Sequence, residues 1–308
     1  MINFNIKTIL VPVDFSPASI NALNSAVVLA KKFNAAIILV HVAETTGLSD
    51  GTQMNGPTAE ENLMAITFHA EQKLQTLQHS VRDNFLLHCQ AVVTTGIAYS
   101  AIIKMSATHH ADLIIMGTHG LSGYKNSLIG LNAFNVVKSA VCPVLTIPAQ
   151  KKWEMFKKIL FPVRPIPAAL EKYDFIRKII STNNSMLKVL GLSSNDEKEV
   201  GLLKDLAAQL NEKLKADEVV AATYFKVGDN MADEVIKIAT LMDTDLIVIT
   251  ANMDQSAQQA AVSPYTRHII NHAHYPVLSI KPLTANAVAD GITDDNGNYF
   301  STPVNHYN

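Results

Sequence analysis

The chain repeats itself, and that constrains its fold more than any other feature. Thr8-Ile9-Leu10-Val11-Pro12-Val13 is echoed by Lys158-Ile159-Leu160-Phe161-Pro162-Val163. Asp112-Leu113-Ile114-Ile115-Met116 is echoed by Asp245-Leu246-Ile247-Val248-Ile249, and Pro143-Val144-Leu145-Thr146-Ile147 by Pro276-Val277-Leu278-Ser279-Ile280. Gly96 is matched by Gly228. Self-similarity on this scale marks a duplicated domain and not a solenoid. A chain of 308 residues then divides into two halves of about 150, each large enough for its own core.

The repeated runs are apolar without alternation, the pattern of strands covered on both faces of a parallel sheet. Between them lie helical patterns. Ser16-Pro17 starts the first, with Ser16 as cap and Pro17 at the first helical position, and it ends around Lys32. A strand follows at 36–42, then a polar loop from Glu44 to Pro57. A helix over 59–81, a strand over 87–93, a helix over 98–106 ending at His109-His110, and a last strand at 144–147 complete the half. Strands alternating with helices predict an α/β fold: two tandem doubly wound parallel-sheet domains. The boundaries fall at 1–150 and 155–283, joined near the single Trp153. Residues 284–308 lie outside the repeat, and Asn296-Gly297 predicts a short hairpin there.

Bulk chemistry narrows the partners. Charged residues make up 17% of the chain and the net charge is −2, which argues against nucleic acid or an anionic membrane as partner. The only cysteines, Cys89 and Cys142, form no CxxC pair, so a reducing compartment without disulfides is expected. No apolar run reaches the ~18 residues of a membrane span. A cytoplasmic location follows as an expectation.

The chemistry concentrates after the strand that ends at Gly117. Glycines recur at Gly120, Gly123 and Gly130, and Asn132 precedes a helical pattern carrying Phe134, Val136, Val137 and Ala140. Asn is a favoured N-cap, so the expected order is strand, glycine-rich loop, helix capped by Asn132. Glycines let the backbone approach a ligand, and a helix N-terminus favours an anion. The combination suits a phosphate.

Gly117-Thr118-His119-Gly120, nine residues, then Gly130-Leu131-Asn132 resembles the G-x2-G-x9-G-[ST]-N nucleotide loop of the universal stress protein family. With the repeat, the resemblance covers the chain to about Pro282. It implies two Rossmann-like domains of the adenine-nucleotide alpha-hydrolase type, whose fifth strands pair antiparallel, here within one chain as an intrachain pseudo-dimer, with a homodimer as a further form. It further implies that ATP or AMP binds the first half, with Mg²⁺ accompanying the phosphates, in a stress-response role exerted through contacts with a protein partner. Carried over residue by residue, Asp14 would meet the base and ribose end, and the backbone of His41 and Val42 the adenine edge. Gly117, His119, Gly120, Gly130, Leu131 and Asn132 would line the ribose and phosphates. Leu131 departs from the family's Ser or Thr. Losing that hydrogen bond to a charged group costs about 1.5–3 kcal/mol, roughly ten- to a hundredfold in affinity, with Lys125 and Ser127 as compensating groups.

The second half has Thr250, Met253, Ser263 and Tyr265 where the first has Gly117, Gly120, Gly130 and Asn132, and Arg164 where the first has Asp14. It is expected not to bind ATP in the family's manner. Other readings compete for several residues. Asp14 next to Ser16 suits a helix N-terminus electrostatically. His119 suits a solvent-exposed loop. His268 and His272, at i, i+4, are the nearest approach to a zinc pair, but no carboxylate or cysteine accompanies them in sequence, so no metal site is expected. Slow ATP hydrolysis is a second function hypothesis, although no Walker lysine or catalytic triad pattern accompanies the loop. A dimerisation scaffold that binds no nucleotide is a third.

Overall fold

The computed structural model describes residues 5–44, 59–118, 130–149, 155–166, 168–251, 253–254 and 261–282. The polar loop after Glu44, the interior of the glycine loop with His119 and Gly120, and the hairpin expected at 296–297 lie outside those residues.

The first half runs β1 (Thr8–Pro12), α1 (Pro17–Phe33), β2 (Ala36–Ala43), α2 (Ala59–Phe85), β3 (Cys89–Thr95), α3 (Ala98–Thr108), β4 (Leu113–Gly117), α4 (Leu131–Ser139) and β5 (Val144–Ile147). The second half runs β6 (Lys158–Val163), α5 (Glu171–Asn183), β7 (Met186–Ser193), α6 (Glu197–Ala216), β8 (Ala221–Val227), α7 (Met231–Leu241) and β9 (Leu246–Thr250). A two-residue pair follows, β10 (Met253–Asp254) and β11 (Ala261–Val262), then α8 (Pro264–His272) and β12 (Val277–Ile280). Ser16 caps α1 as expected, its Oγ accepting from Ser19 N at 3.2 Å.

Two boundaries differ from the sequence reading. α2 continues past Val81 because nothing in Arg82-Asp83-Asn84-Phe85 breaks a helix. It stops where Leu86 turns left-handed, at φ 56°. β3 correspondingly starts at Cys89 instead of Leu87 and runs on to Thr95, where it keeps register with Ala43 at the end of β2.

Among the described residues, all strands except the short pair join one ten-stranded sheet, ordered β3-β2-β1-β4-β5-β12-β9-β6-β7-β8. Every pairing in it is parallel except the central one, where β5 meets β12 antiparallel with Leu145 opposite Leu278. The chain thus covers with itself two edges that would otherwise invite foreign strands. The two halves also meet outside the sheet. Asn183 of α5 accepts hydrogen bonds from Lys32 of α1 and, at 2.6 Å through its carbonyl, from Lys157, and Arg267 lies over the Phe134 ring at 5.4 Å.

Strand residues alternate between two apolar layers. Ile9 and Val11 point into a core with α1, α2, α5 and α6, while Leu10 points into a second core with α3, α4, α7 and α8. Both cores run continuously through the two halves. The duplication extends to single hydrogen bonds. Asp112 Oδ2 accepts from Lys7 N and Thr8 N at 2.7 and 2.9 Å, and Asp245 Oδ2 accepts from Lys157 N and Lys158 N at 3.0 and 2.9 Å. Gly96 donates to Ala43 O and Gly228 to Ser193 O. Gly96 has φ 123°, a conformation that favours glycine.

Candidate functional site

In each half the order of strands reverses once. β1 lies between β2 and β4, and β6 lies between β7 and β9. The connections that follow β1 and β4, and those that follow β6 and β9, run to opposite sides and open a crevice between the carboxyl ends of the two strands, which is where open parallel sheets bind ligands. Asp14, at the end of β1, and Gly117, at the end of β4, stand at that crevice in the first half.

The glycine segment leaves and re-enters the fold at one place. Gly130 donates to Thr118 O at 2.7 Å, which sets the start of α4 against the tip of β4, and Thr118 N is tied to Ile147 O at 3.1 Å. α4 then starts at once: Gly130, at φ −58° and ψ 144°, is its N-cap, and Phe134 donates to Gly130 O at 3.1 Å. The expected cap, Asn132, is therefore corrected. It lies in the first turn, because closure of the loop onto Thr118 fixes the start of the helix before Asn132 is reached. Its side chain donates across the crevice to Glu44 Oε1 at 3.5 Å. Glu44, just past β2, is a rim residue that the sequence reading missed. Only the distance between 44 and 132 in the chain hides it.

A glycine cap has a chemical consequence. Gly130 supplies no side-chain hydrogen bond to the first turn, so among the described residues no side chain caps the leading amides of α4, the donors that a helix N-terminus offers an anion. Leu131 presents its main chain at this turn while its side chain points outward, 75% exposed.

Gly117 has a packing role as well. A Cβ there would fall 2.8 Å from both the carbonyl carbon and the Cβ of Ala18. Glycine thus lets the N-terminus of α1 lie directly against the tip of β4.

At the base of the crevice, Asp14 Oδ1 accepts from Ser16 N at 3.0 Å, at the mouth of α1. This is the helix-terminal arrangement its sequence position suggested. Next to it Phe15 adopts a left-handed backbone, φ 63°. A non-glycine residue held there carries strain of order 1–3 kcal/mol, a feature that clusters at functional sites. The Phe15 ring meets the His41 ring at 4.8 Å, and the Lys73 ammonium lies 5.5 Å from the Phe15 centroid. His41 Nδ1 is 2.7 Å from Val13 O, which fixes the imidazole at the end of β2, with Val42 half-buried beyond it. Asp14, His41, Gly117, Gly130 and Asn132 therefore converge from four separate segments.

The second half keeps the crevice and changes its lining. Arg164 stands at the end of β6, and its guanidinium stacks on Tyr265 at 3.9 Å. The N-terminus of α8 is closed from within: Ser263 Oγ accepts from Thr266 N at 3.4 Å, and Pro264 at the first position has no N–H to give.

The histidines of α8 are not left without a carboxylate, as the sequence suggested. His268 Nε2 is 2.5 Å from Asp233 Oδ1 of α7, and the His268 and His272 rings stack at 4.2 Å. Among the described residues no group of three His, Cys, Asp or Glu side chains is placed to hold a metal. No described helix is long and apolar enough to cross a membrane.

Comparison with known proteins agrees with the geometry. The model of the universal stress protein family matches residues 5–148 and again 155–281. A universal stress protein of Methanocaldococcus jannaschii is 29% identical over 149 residues, covering 47% of this chain and 84% of its own. Universal stress protein A homolog 1 of Coxiella burnetii is 28% identical over 141 residues, covering 46% of this chain and 95% of its own. Among solved structures, a universal stress protein of Archaeoglobus fulgidus superposes with a TM-score of 0.72 over 89% of this chain and 98% of that one, at 18% identity. At that identity the likeness speaks to the fold alone, and here it extends over both halves.

Proposed function

The chain belongs to the universal stress protein family, and from that premise we propose that its first repeat binds an adenine nucleotide, ATP or AMP. One observation carries the proposal: the crevice beyond β1 and β4 gathers Asp14, the His41-Val42 strand end, Gly117 and an α4 N-terminus that no side chain caps among the described residues. A helix N-terminus of this kind suits a phosphate through its amide donors and its partial positive charge. The carboxylate of Asp14 would face the ribose hydroxyls, and the end of β2 the base. Mg²⁺ would enter with the phosphates. Occupancy would tie α4 to β1 and β4 and alter the surface that a protein partner meets, which gives the stress-response reading a physical form.

Thermal unfolding with and without millimolar Mg-ATP, ADP and AMP tests the proposal. A ligand held only by the native state at 100 times its Kd adds about 2.7 kcal/mol. The expected result is a raised midpoint in the wild type that disappears in Asp14→Asn and in Gly130→Ala, the latter able to keep φ −58°. An unchanged midpoint with all three nucleotides rejects the proposal and leaves the family fold as a scaffold.

A further inference from the structure

The crevice of the second repeat has gained two cations. Arg164, at the end of β6, and Lys172, in the first turn of α5, line one pocket with Pro162, Thr250 and Tyr265. α1 begins three residues after Asp14, whereas α5 begins seven residues after Arg164, and the turn that precedes α5 lines the same pocket through Ile166 and Ala169.

Lys172 is 3% exposed. Its ammonium donates to Pro162 O at 2.5 Å and lies 4.5 Å from the Phe161 ring centroid, leaving two N–H groups without a partner among the described residues. The Arg164 guanidinium stacks on Tyr265 and forms no hydrogen bond among the described residues. Thr250 is 5% exposed, and its buried Oγ1 has no hydrogen-bond partner among the described residues. The carboxylate that acts on Arg164 from the described structure is Glu199 of α6, and it is already engaged by Ser194 N at 3.0 Å and Ser194 Oγ at 2.6 Å.

Two neighbouring cations withdrawn from water with unused donors describe a site built for a negative charge. Burial, reinforced by Arg164, pushes Lys172 down to about 7, the strain expected of a cation whose counterion is a ligand.

We propose that the second repeat binds a phosphate group in this pocket, clasped by Arg164 and Lys172 with the hydroxyls of Thr250 and Tyr265 as further donors. The group is either the free ion or the end of a phosphorylated ligand. The site is independent of the nucleotide reading of the first repeat. It lies at the equivalent crevice but takes its charge from side chains, where α4 would use backbone amides.

The full-length protein, at constant ionic strength in chloride, is titrated with inorganic phosphate and separately with ribose 5-phosphate by calorimetry. Saturable binding of one equivalent is expected, retained in Gly130→Ala and at least tenfold weaker in both Lys172→Met and Arg164→Gln. Methionine keeps most of the length of Lys172 without a buried charge, and circular dichroism selects the variants that fold, so either one suffices. Tighter binding of phosphate assigns the free ion, and tighter binding of ribose 5-phosphate assigns a phosphorylated ligand. No saturable binding of either, or binding that the folded variants retain, overturns the proposal.

Sulfate, whose charge is constant over the range, isolates the protein's own titration. Arg164 stays charged and burial holds the Tyr265 phenol above its usual range, so the titrating cation is Lys172. Sulfate affinity should be roughly tenfold weaker at pH 8 than at pH 6. An affinity that does not change would remove Lys172 from the site.

Discussion

The two repeats share a sheet, a crevice and even paired hydrogen bonds at Asp112 and Asp245, yet their crevices are finished in opposite ways. In the first, the small residue is at the strand tip, the helix starts early and the N-terminus of α4 is open. In the second, Thr250 replaces glycine, α5 starts late and Ser263 closes α8 from within. A duplicated domain can therefore change its ligand chemistry without altering the strands. The changes fall on the loop and helix-start residues that surround the strand tips.

The largest expected effect concerns the buried charge. A buried lysine held below its usual range costs the fold the difference between its folded and unfolded proton affinities, about 1.4 kcal/mol for each tenfold, so Lys172→Met should raise stability at pH 7 by a few kcal/mol. The sign of its pH dependence follows from the depressed value. Between about 7 and the ordinary lysine value of 10.5, the unfolded chain binds a proton that the folded lysine lacks, so wild-type stability rises with pH relative to the variant. Urea unfolding of both proteins at pH 7 and pH 10 should show the gap closing; a gap that widens would mean that Lys172 is satisfied in place.

Next is the strand tip. Gly117→Ala puts a Cβ 2.8 Å from Ala18 and should cost about 1–3 kcal/mol as overpacking. Thr250→Ala in the other repeat only removes an unpartnered hydroxyl and should change stability by less than about 1 kcal/mol. Equal losses would show that the two helix approaches are alike after all.

The helix starts give smaller effects. Ser263→Ala should cost about 1 kcal/mol by loss of a cap. Gly130→Ser, the reciprocal change, should gain only a few tenths of a kcal/mol while weakening nucleotide binding, because its hydroxyl competes for the amides a phosphate would use. A stabilised Gly130→Ser variant with undiminished affinity would argue that α4 does not hold the ligand.

Much of this was legible in the sequence. Uninterrupted apolar runs gave the buried strands, their recurrence gave the duplication, and Ser16-Pro17 marked the start of α1. The antiparallel join of β5 and β12 followed from the family resemblance. Asn132 misled because cap preference is local, whereas the start of α4 is set by a bond from Gly130 to Thr118, twelve residues back. Phe15 gave no sign of its left-handed backbone. Lys172 was invisible for a different reason: a lysine among helix residues reads as solvated, and only tertiary packing lays it against Pro162 and the Phe161 ring. The pairing of Asp233 with His268 joins two helices that periodicity cannot bring together.

We propose that one crevice per chain takes nucleotide, and that it is the first. Calorimetric titration of the full-length protein with Mg-ATP tests it most directly, repeated on Gly130→Ala and Lys172→Met. One equivalent per chain is expected, lost in Gly130→Ala and preserved in Lys172→Met. Two equivalents, or one that is lost in Lys172→Met and kept in Gly130→Ala, would contradict it.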